Sequence, residues 1–251
     1  MKALITGASS GIGEALTYEL SKRGYDIILI ATDLKKLEEV SKKCKTKTRV
    51  IACDLRNEEE IYNLYETVKN ENIDLLVNNA GFGLFGHFDK TDLKRELEMI
   101  DVNIKAVHIL TKLFLKDFQK RNDGRILNVA SSAGFMAGPK LSTYYATKNY
   151  VLKLSLAIYE ELRKEKSNVK INILCPGPVD TNFNRVAKGN FKIKGADKNY
   201  VAKYTVDKML KNKLIIIPTL KMKLGVHLSR LVPTKTLLKI TYKIQNRKTK
   251  S

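Results

Sequence analysis

The N-terminal segment predicts a β-strand, a glycine-rich turn, an α-helix and a second strand in immediate succession. An apolar run at residues 2–6 leads directly into Gly7-Ala8-Ser9-Ser10-Gly11-Ile12-Gly13, and apolar residues then recur at helical spacing as far as Gly24. Glycines in such a turn let the backbone approach a pyrophosphate, whose charge is met by the N–H groups and positive dipole end of the helix. A tight turn without a ligand is the alternative, because the pattern is not G-x-G-x-x-G.

Strands and helices alternate along the rest of the chain. Apolar runs predict further strands, and helical patterns separate them; the strands fall at 27–30, 48–52, 74–77, 125–129, 169–174 and 214–217, and the helices at about 34–44, 57–70, 101–121, around Tyr144, and 198–210. Apolar strands separated by helices imply a parallel sheet covered on both faces. We therefore expect one doubly wound α/β domain over residues 1–251.

Length, apolar runs and cysteine content favour a single-domain cytoplasmic protein with free thiols. The 251 residues suffice for one domain with a sizeable core, and no Pro- or Gly-rich linker divides them. The chain begins with a core strand and no apolar run approaches the roughly 18 residues of a membrane span, so we expect a cytoplasmic protein. Cys44, Cys53 and Cys175 form no C-x-x-C pattern, and the three histidines have no metal-ligand spacing. Free thiols and no metal site are expected.

A candidate acid/base pair stands at Tyr144 and Lys148. A helix places residues four apart on one face, and a nearby cation favours the phenolate, which brings the pKa of a tyrosine toward neutral pH. Such a phenol can exchange a proton with a reacting oxygen. The spacing alone is also that of an ordinary solvated helix face.

Further short motifs surround this pair along the chain. They are Thr6-Gly7-x-x-x-Gly11-x-Gly13, Asn78-Asn79-Ala80-Gly81, Asn103, Ser131, Tyr144-x-x-x-Lys148 and Pro176-Gly177. In order and spacing they resemble the short-chain dehydrogenase/reductases over about residues 1–182. The resemblance implies a Rossmann-type, mostly seven-stranded parallel sheet of order 3-2-1-4-5-6-7, a bound NAD(P), and hydride exchange between a carbonyl and an alcohol. A catalytically idle nucleotide-binding sensor or scaffold is the alternative.

The resemblance assigns four catalytic residues. Tyr144 would donate or accept the proton, and Ser131 would hold the substrate oxygen, with Ser132 as a rival. Lys148 would lower the pKa of the tyrosine and bind the nicotinamide ribose. Asn103 would shape a helix distortion and hold a water, although a polar surface residue is the alternative. Tyr145, which lacks a lysine four residues on, is assigned to packing or the pocket wall.

The expected cofactor contacts cluster after the strands. They are Gly7, Ser9, Ser10, Gly11, Ile12, Gly13, Thr32, Asp54, Leu55, Asn79, Ala80, Gly81, Tyr144, Lys148, Pro176, Gly177, Val179 and Thr181. Asp54 could instead cap the helix that begins near Asn57. At the end of the second strand, positions 31 and 32 are Ala and Thr, so the acid that would bind the ribose of NAD is absent there. This absence favours NADP, whereas the carboxylate of Asp33 favours NAD.

Apolar residues near the expected site favour a hydrophobic carbonyl or alcohol as substrate. Those that could line a cavity are Phe82, Phe85, Phe88, Phe135, Met136, Leu141, Phe183 and Phe191. Ordinary loop packing is the alternative for each. The segment 180–198 resembles the mobile substrate lid of the family.

Positive charge is concentrated toward the C-terminus. The net charge is +20, and residues 208–251 contain twelve Lys or Arg and no Asp or Glu. A helix over 235–247 would carry lysines on one face and aliphatic residues on the other, with a second short helix at 221–231. This 220–251 extension could lie on the anionic inner surface of a membrane or dock on its own domain. Nucleic acid is not expected, since aromatic residues are not interleaved, and a homo-oligomer is one further expectation.

Overall fold

A single parallel sheet organises the chain, as the resemblance implies. The computed structural model describes residues 1–187 and 195–246. The strands are β1 (Lys2–Thr6), β2 (Asp26–Ala31), β3 (Thr48–Ala52), β4 (Leu75–Asn78), β5 (Arg125–Val129), β6 (Lys170–Leu174) and β7 (Ile215–Ile216). Their order is β3-β2-β1-β4-β5-β6-β7, and every neighbouring pair is parallel. The expected Rossmann-type topology is confirmed.

Helices cover both faces of this sheet. They are α1 (Gly11–Lys22), α2 (Leu34–Ser41), α3 (Glu58–Val68), α4 (Leu93–Ile100), α5 (Val107–Arg121), α6 (Ser142–Lys164), α7 (Phe183–Val186), α8 (Lys198–Leu210), α9 (Leu220–Ser229) and α10 (Thr234–Asn246). Side chains alternate along β1, so that Ile5 joins the core under α1 and α8 while Leu4 joins the core under α3, α5 and α6. The central strands β1, β2 and β4 are therefore buried on both faces, whereas the edge strand β3 is only partly buried.

The helix predicted over about 101–121 is part of a longer and less regular one. It begins with α4, whose first turn is capped by the Asp92 carboxylate, and passes through a π-helix at Asp101–Ala106 before α5 begins. The π-helix holds Asn103, which is fully buried. π-bulges inside α-helices occur frequently at functional sites.

The C-terminal extension forms two helices packed on the sheet domain. Met222 of α9 lies against Gly177, and Gln245 of α10 is buried. Within the described residues, no helix combines the length and apolar character needed to cross a bilayer. The lid expected at 180–198 is described only at 180–187 and 195–198, and Phe191 and Arg247 lie outside the described residues.

Candidate active site

The glycine-rich turn brings the backbone of β1 close to the end of β4. Gly7 has φ +64°, and a Cβ there would come within 2.9 Å of the Ala80 Cα. A Cβ on Gly13 would lie 2.1 Å from the Gly7 carbonyl oxygen. Side chains at these positions would open the turn, which explains why glycine is needed at both.

The N-terminus of α1 is suited to a phosphate. Ser10 is its N-cap residue, but its side chain makes no capping hydrogen bond, whereas Asp33 and Asn57 cap α2 and α3 with theirs. The first turn of α1 therefore keeps backbone N–H groups that no capping side chain satisfies, at the positive end of the helix dipole. Together with the close backbone of the turn, this fits the pyrophosphate of a dinucleotide.

Asn79 and Thr6 fix the loop that follows β4. The Asn79 amide donates to the backbone oxygens of Thr6 (2.9 Å) and Gly7 (3.2 Å), while the Thr6 hydroxyl accepts the N–H groups of Asn79 and Ala80, each at 3.0 Å. Asn79 thus ties the glycine turn to the next strand. The motif that contains Thr6 does not indicate this anchoring role, which depends on a contact between residues 73 positions apart.

Ser131 stands at the carboxyl end of β5, near the Tyr144 phenol. Its hydroxyl accepts the Ala133 N–H at 3.1 Å and donates to the Pro176 carbonyl at 3.4 Å. Tyr144 lies in the first turn of α6, and the Ser131 side chain is close enough to lower the pKa of the Tyr144 phenol. Of the two serines, Ser131 is the one that affects the pKa of the Tyr144 phenol, and its role toward the substrate stays a prediction.

Burial makes the Tyr144 phenol a weaker acid. It raises the pKa of the phenol to about 12, and this effect outweighs that of the nearby Ser131 side chain, which lowers the pKa. The sequence-based expectation that Lys148 brings the tyrosine toward neutral pH is not met in this structure. Tyr144 holds its proton at pH 7.

The Lys148 ammonium reaches the carboxyl end of β5. Its Nζ donates to the Val129 carbonyl at 2.9 Å and lies 6.0 Å from the centroid of the Tyr144 ring. Because the residue is only 5% exposed, burial lowers the pKa of the ammonium to about 8. The group is therefore a buried cation with one protein acceptor.

Asn103 joins the π-helix to the loop after β4 and to α6. Its amide donates to the Phe82 carbonyl (2.9 Å) and the Thr147 hydroxyl (3.0 Å), and its oxygen accepts the Phe82 N–H at 3.0 Å. Thr147 in turn donates to the Tyr144 carbonyl at 2.7 Å. A Cβ on Gly81 would meet both the Asn103 oxygen and the Lys148 ammonium, at 2.9 and 3.2 Å. Asn103 is a buried connector, and the surface alternative is wrong.

The carboxyl ends of β2 and β3 form a shallow cavity of about 300 Å³. It is lined by Thr32, Ala52, Cys53, Asp54, Arg56 and Glu60. Arg56 binds the Asp54 carboxylate in a bidentate pair and lowers its pKa. Asn57, not Asp54, caps α3, so the capping alternative for Asp54 is wrong. Asp33 caps α2 and pairs with Lys36 at 2.7 Å.

Comparison with known proteins agrees with this geometry. A family model described as short chain dehydrogenase matches residues 1–190. The chain belongs to the short-chain dehydrogenase family. Members act on alcohol or carbonyl groups with a nicotinamide cofactor, so this chain is an NAD(P)-dependent oxidoreductase of that type.

Three similar proteins illustrate the range of this family. An uncharacterized oxidoreductase of Staphylococcus epidermidis is 33% identical over 181 residues, 71% of this chain and 78% of the relative. Human 17-beta-hydroxysteroid dehydrogenase type 3 is 34% identical over 203 residues, 78% of this chain and 64% of the relative. The structure of a short-chain dehydrogenase from Sphingobium yanoikuyae in complex with NADPH is 25% identical, with a TM-score of 0.81 and coverage of 87% and 88% of the two chains.

The aromatic residues expected around the substrate take different positions in this short-chain dehydrogenase. The Phe183 ring packs against the Tyr144 ring in a tilted arrangement, with the centroids 5.2 Å apart, and a Cβ on Gly83 would touch both rings. Phe82 and Phe135 instead lie under the guanidinium groups of Arg95 and Arg230. Phe88 is 68% exposed. Of these phenylalanines, Phe183 is thus the one that lies against the Tyr144 ring.

The C-terminal helix α10 reaches the same side of the site. Gln245 donates to the Tyr145 hydroxyl at 2.7 Å, and Tyr145 packs edge to face against Tyr144 with ring centroids 6.2 Å apart. Tyr145 therefore packs rather than pairing with a lysine. Sequence reasoning missed Gln245, because nothing in its local pattern signals a partner 100 residues away.

Proposed function

We propose that this chain transfers a hydride between NADP(H) and an apolar carbonyl or alcohol, with Tyr144 exchanging the proton at the substrate oxygen. The observation that carries the proposal is the position of the Tyr144 phenol, which lies next to Ser131 and against the Phe183 ring, with a pKa that burial raises, so that it is neutral at pH 7. A ketone oxygen gains negative charge as it is reduced, and a neutral phenol is the donor that such an oxygen needs.

The surrounding residues would orient the Tyr144 phenol and place a positive charge near it. When bound, the nicotinamide supplies the hydride. Ser131 would hold the substrate oxygen beside the phenol, and Lys148 would place a positive charge under the site. Asn103 would act as a positioning residue, because its amide fixes both the loop at Phe82 and Thr147 on α6.

An apolar substrate is supported by what lies beside the phenol. The Phe183 ring covers one side of Tyr144, and Gly83 leaves room on the approach. We expect kcat/KM to rise about tenfold for each pair of methylenes that a linear ketone series adds within the pocket, since a buried methylene stabilises by about 0.8 kcal/mol. NADPH oxidation with ketones of increasing chain length measures this. A preference for short or charged carbonyls would contradict it, and cofactor binding without turnover of any carbonyl would favour the scaffold alternative.

A preference for NADPH is supported at the cavity beside Thr32. Position 32 carries no acid, the Asp33 carboxylate is held by Lys36, and Arg56 lines the same cavity. Arg56→Gln is therefore expected to weaken NADPH binding about tenfold, the size of a charge-assisted phosphate contact, and to leave NADH binding nearly unchanged.

Cofactor fluorescence titration of both nucleotides measures this preference. Arg49→Gln is the matched control, because Arg49 has a similar exposed fraction, 48% against 45% for Arg56, and pairs with Glu71. An equal loss for NADPH and NADH would assign Arg56 a structural role through Asp54. Tighter binding of NADH than NADPH by the unchanged protein would overturn the preference itself.

A further inference from the structure

Helix α9 carries a stripe of leucines that faces solvent. Leu220, Leu224, Leu228 and Leu231 are 81%, 59%, 52% and 82% exposed. The first three are four residues apart and share one face of the helix. On the inner side, Val226 is buried and Met222 packs on Gly177. Helix α9 is therefore apolar on both sides, and only one side is covered by the described part of the chain.

Helix α10 is arranged in the same way. Its inner side carries Thr241 and Gln245, which are 6% and 2% exposed. Ile240, Tyr242 and Ile244 on the outer side are 45%, 42% and 44% exposed. The docking of α10 on its own domain is thus real, but it leaves aliphatic residues in solvent. The sequence left two alternatives for this helix, docking on its own domain and contact with a membrane. The two use different faces of α10, so they do not exclude each other.

The exposed leucines and isoleucines lie among basic residues, in a stretch of sequence that contains no acidic residue. Lys221, Lys223, Arg230, Lys235, Lys239 and Lys243 belong to the two helices and the turn between them, and residues 208–251 contain no Asp or Glu. Over residues 1–187 and 195–246, no ion pair includes a residue beyond Asp207. We call this set of exposed aliphatic and basic residues between Leu220 and Ile244 the C-terminal surface.

We propose that the C-terminal surface docks on an anionic lipid bilayer. Aliphatic side chains flanked by lysines are what an interfacial helix uses, burying the former at the headgroup boundary and pairing the latter with anionic lipid. A second copy of the chain fits this surface poorly, because a symmetric contact would bring the same cations together. Charge complementarity therefore selects the anionic membrane, and this docking is independent of whether the site turns over a carbonyl.

The position of the surface links a membrane to the site. Met222 of α9 touches Gly177, the Arg230 guanidinium covers the Phe135 ring, and Gln245 of α10 holds Tyr145. The helices that would lie on lipid are thus the ones that pack against the loops around Tyr144. If the proposed function holds, an apolar substrate dissolved in the bilayer has a short route to the phenol.

Vesicle sedimentation of the full chain tests the docking. The probes are vesicles of phosphatidylcholine alone and of phosphatidylcholine mixed with phosphatidylglycerol. We expect binding to the mixed vesicles only, with an affinity that falls steeply as salt rises. Leu224→Gln with Leu228→Gln should weaken it about tenfold. Lys235→Gln, Lys239→Gln and Lys243→Gln together should weaken it about a hundredfold, near a factor of five for each lysine.

Two control variants match these changes in chemistry and spacing. Leu93→Gln with Leu97→Gln removes leucines that are 68% and 52% exposed on α4, beside the acids Glu96 and Glu98. Lys112→Gln, Lys116→Gln and Lys120→Gln remove three exposed lysines at the same spacing on α5. Both controls should bind vesicles as the unchanged protein does, and thermal unfolding checks that every variant is folded.

Three outcomes would overturn the docking. They are no binding to the mixed vesicles, equal loss in the control variants, and equal binding to neutral and anionic vesicles. Sedimentation velocity covers the remaining alternative: if the Leu224/Leu228 variant turns a dimer into a monomer without changing vesicle binding, the surface is an interface between copies of the chain.

Discussion

Tyr144→Phe is expected to lower kcat by about a thousandfold while leaving the affinity for NADPH nearly unchanged. A positioned general acid contributes on the order of 10²–10⁴ in rate. The phenylalanine keeps the ring that packs between Phe183 and Tyr145 and removes only the hydroxyl beside Ser131. The measurement is NADPH oxidation with the best ketone from the chain-length series, together with a fluorescence titration of the cofactor.

Tyr145→Phe is the matched control for this change. It removes the neighbouring hydroxyl, whose partner is Gln245 on α10, and keeps the same ring. We expect this variant to retain most of the activity. Full activity in Tyr144→Phe would refute the assignment of the acid, and a comparable loss in both variants would mean that ring packing, not proton transfer, is being measured.

The fold follows from local pattern to a large extent. Buried strands such as β1 and β6 read as continuous apolar runs, and the turn at Gly7–Gly13 has a shape that few other residues permit. Once strands and helices alternate, right-handed crossovers leave few topologies open. The helix distortion at Asn103 was implied by the family resemblance, whereas the apolar pattern alone did not indicate the π-helix at Asp101–Ala106.

The hydrogen bonds and protonation states of the site residues could be predicted from the sequence less well than the fold. The pairing of Asn103 with Thr147, or of Lys148 with the Val129 carbonyl, depends on which backbone groups the tertiary structure leaves unpaired. Protonation depends on burial in the same way, and spacing on a helix says nothing about it. Similarly, periodicity predicted α9, but only the packing of Met222 on Gly177 decides that Leu224 faces outward.

Lys148→Met is expected to raise the free energy of unfolding at pH 7 while lowering kcat about a hundredfold. The folded protein holds the Lys148 ammonium with a pKa of about 8, below the value of 10.5 for an exposed lysine, which corresponds to a cost of roughly 3 kcal/mol at pH 7. Methionine removes the charge but leaves the Val129 carbonyl without its donor, at a cost of about 1–2 kcal/mol. A net gain of about 1–2 kcal/mol remains.

The pH dependence of the stability gain distinguishes removal of a buried charge from improved packing. Because the folded pKa of Lys148 lies below the unfolded one, the folded state binds fewer protons between pH 8 and 10.5, and the unchanged protein gains stability as pH rises through that window. The advantage of the methionine variant should therefore shrink from pH 8 and vanish near pH 10, below the range in which Tyr144 titrates. Urea unfolding at pH 7 and pH 10 measures it, with Lys153→Met, an exposed lysine on the same helix, as the control. If Lys148→Met is less stable than the unchanged protein at pH 7, the Lys148 ammonium has more favourable interactions than its single acceptor implies. If the variant is still the more stable protein at pH 10, the gain comes from packing rather than from removing a buried charge.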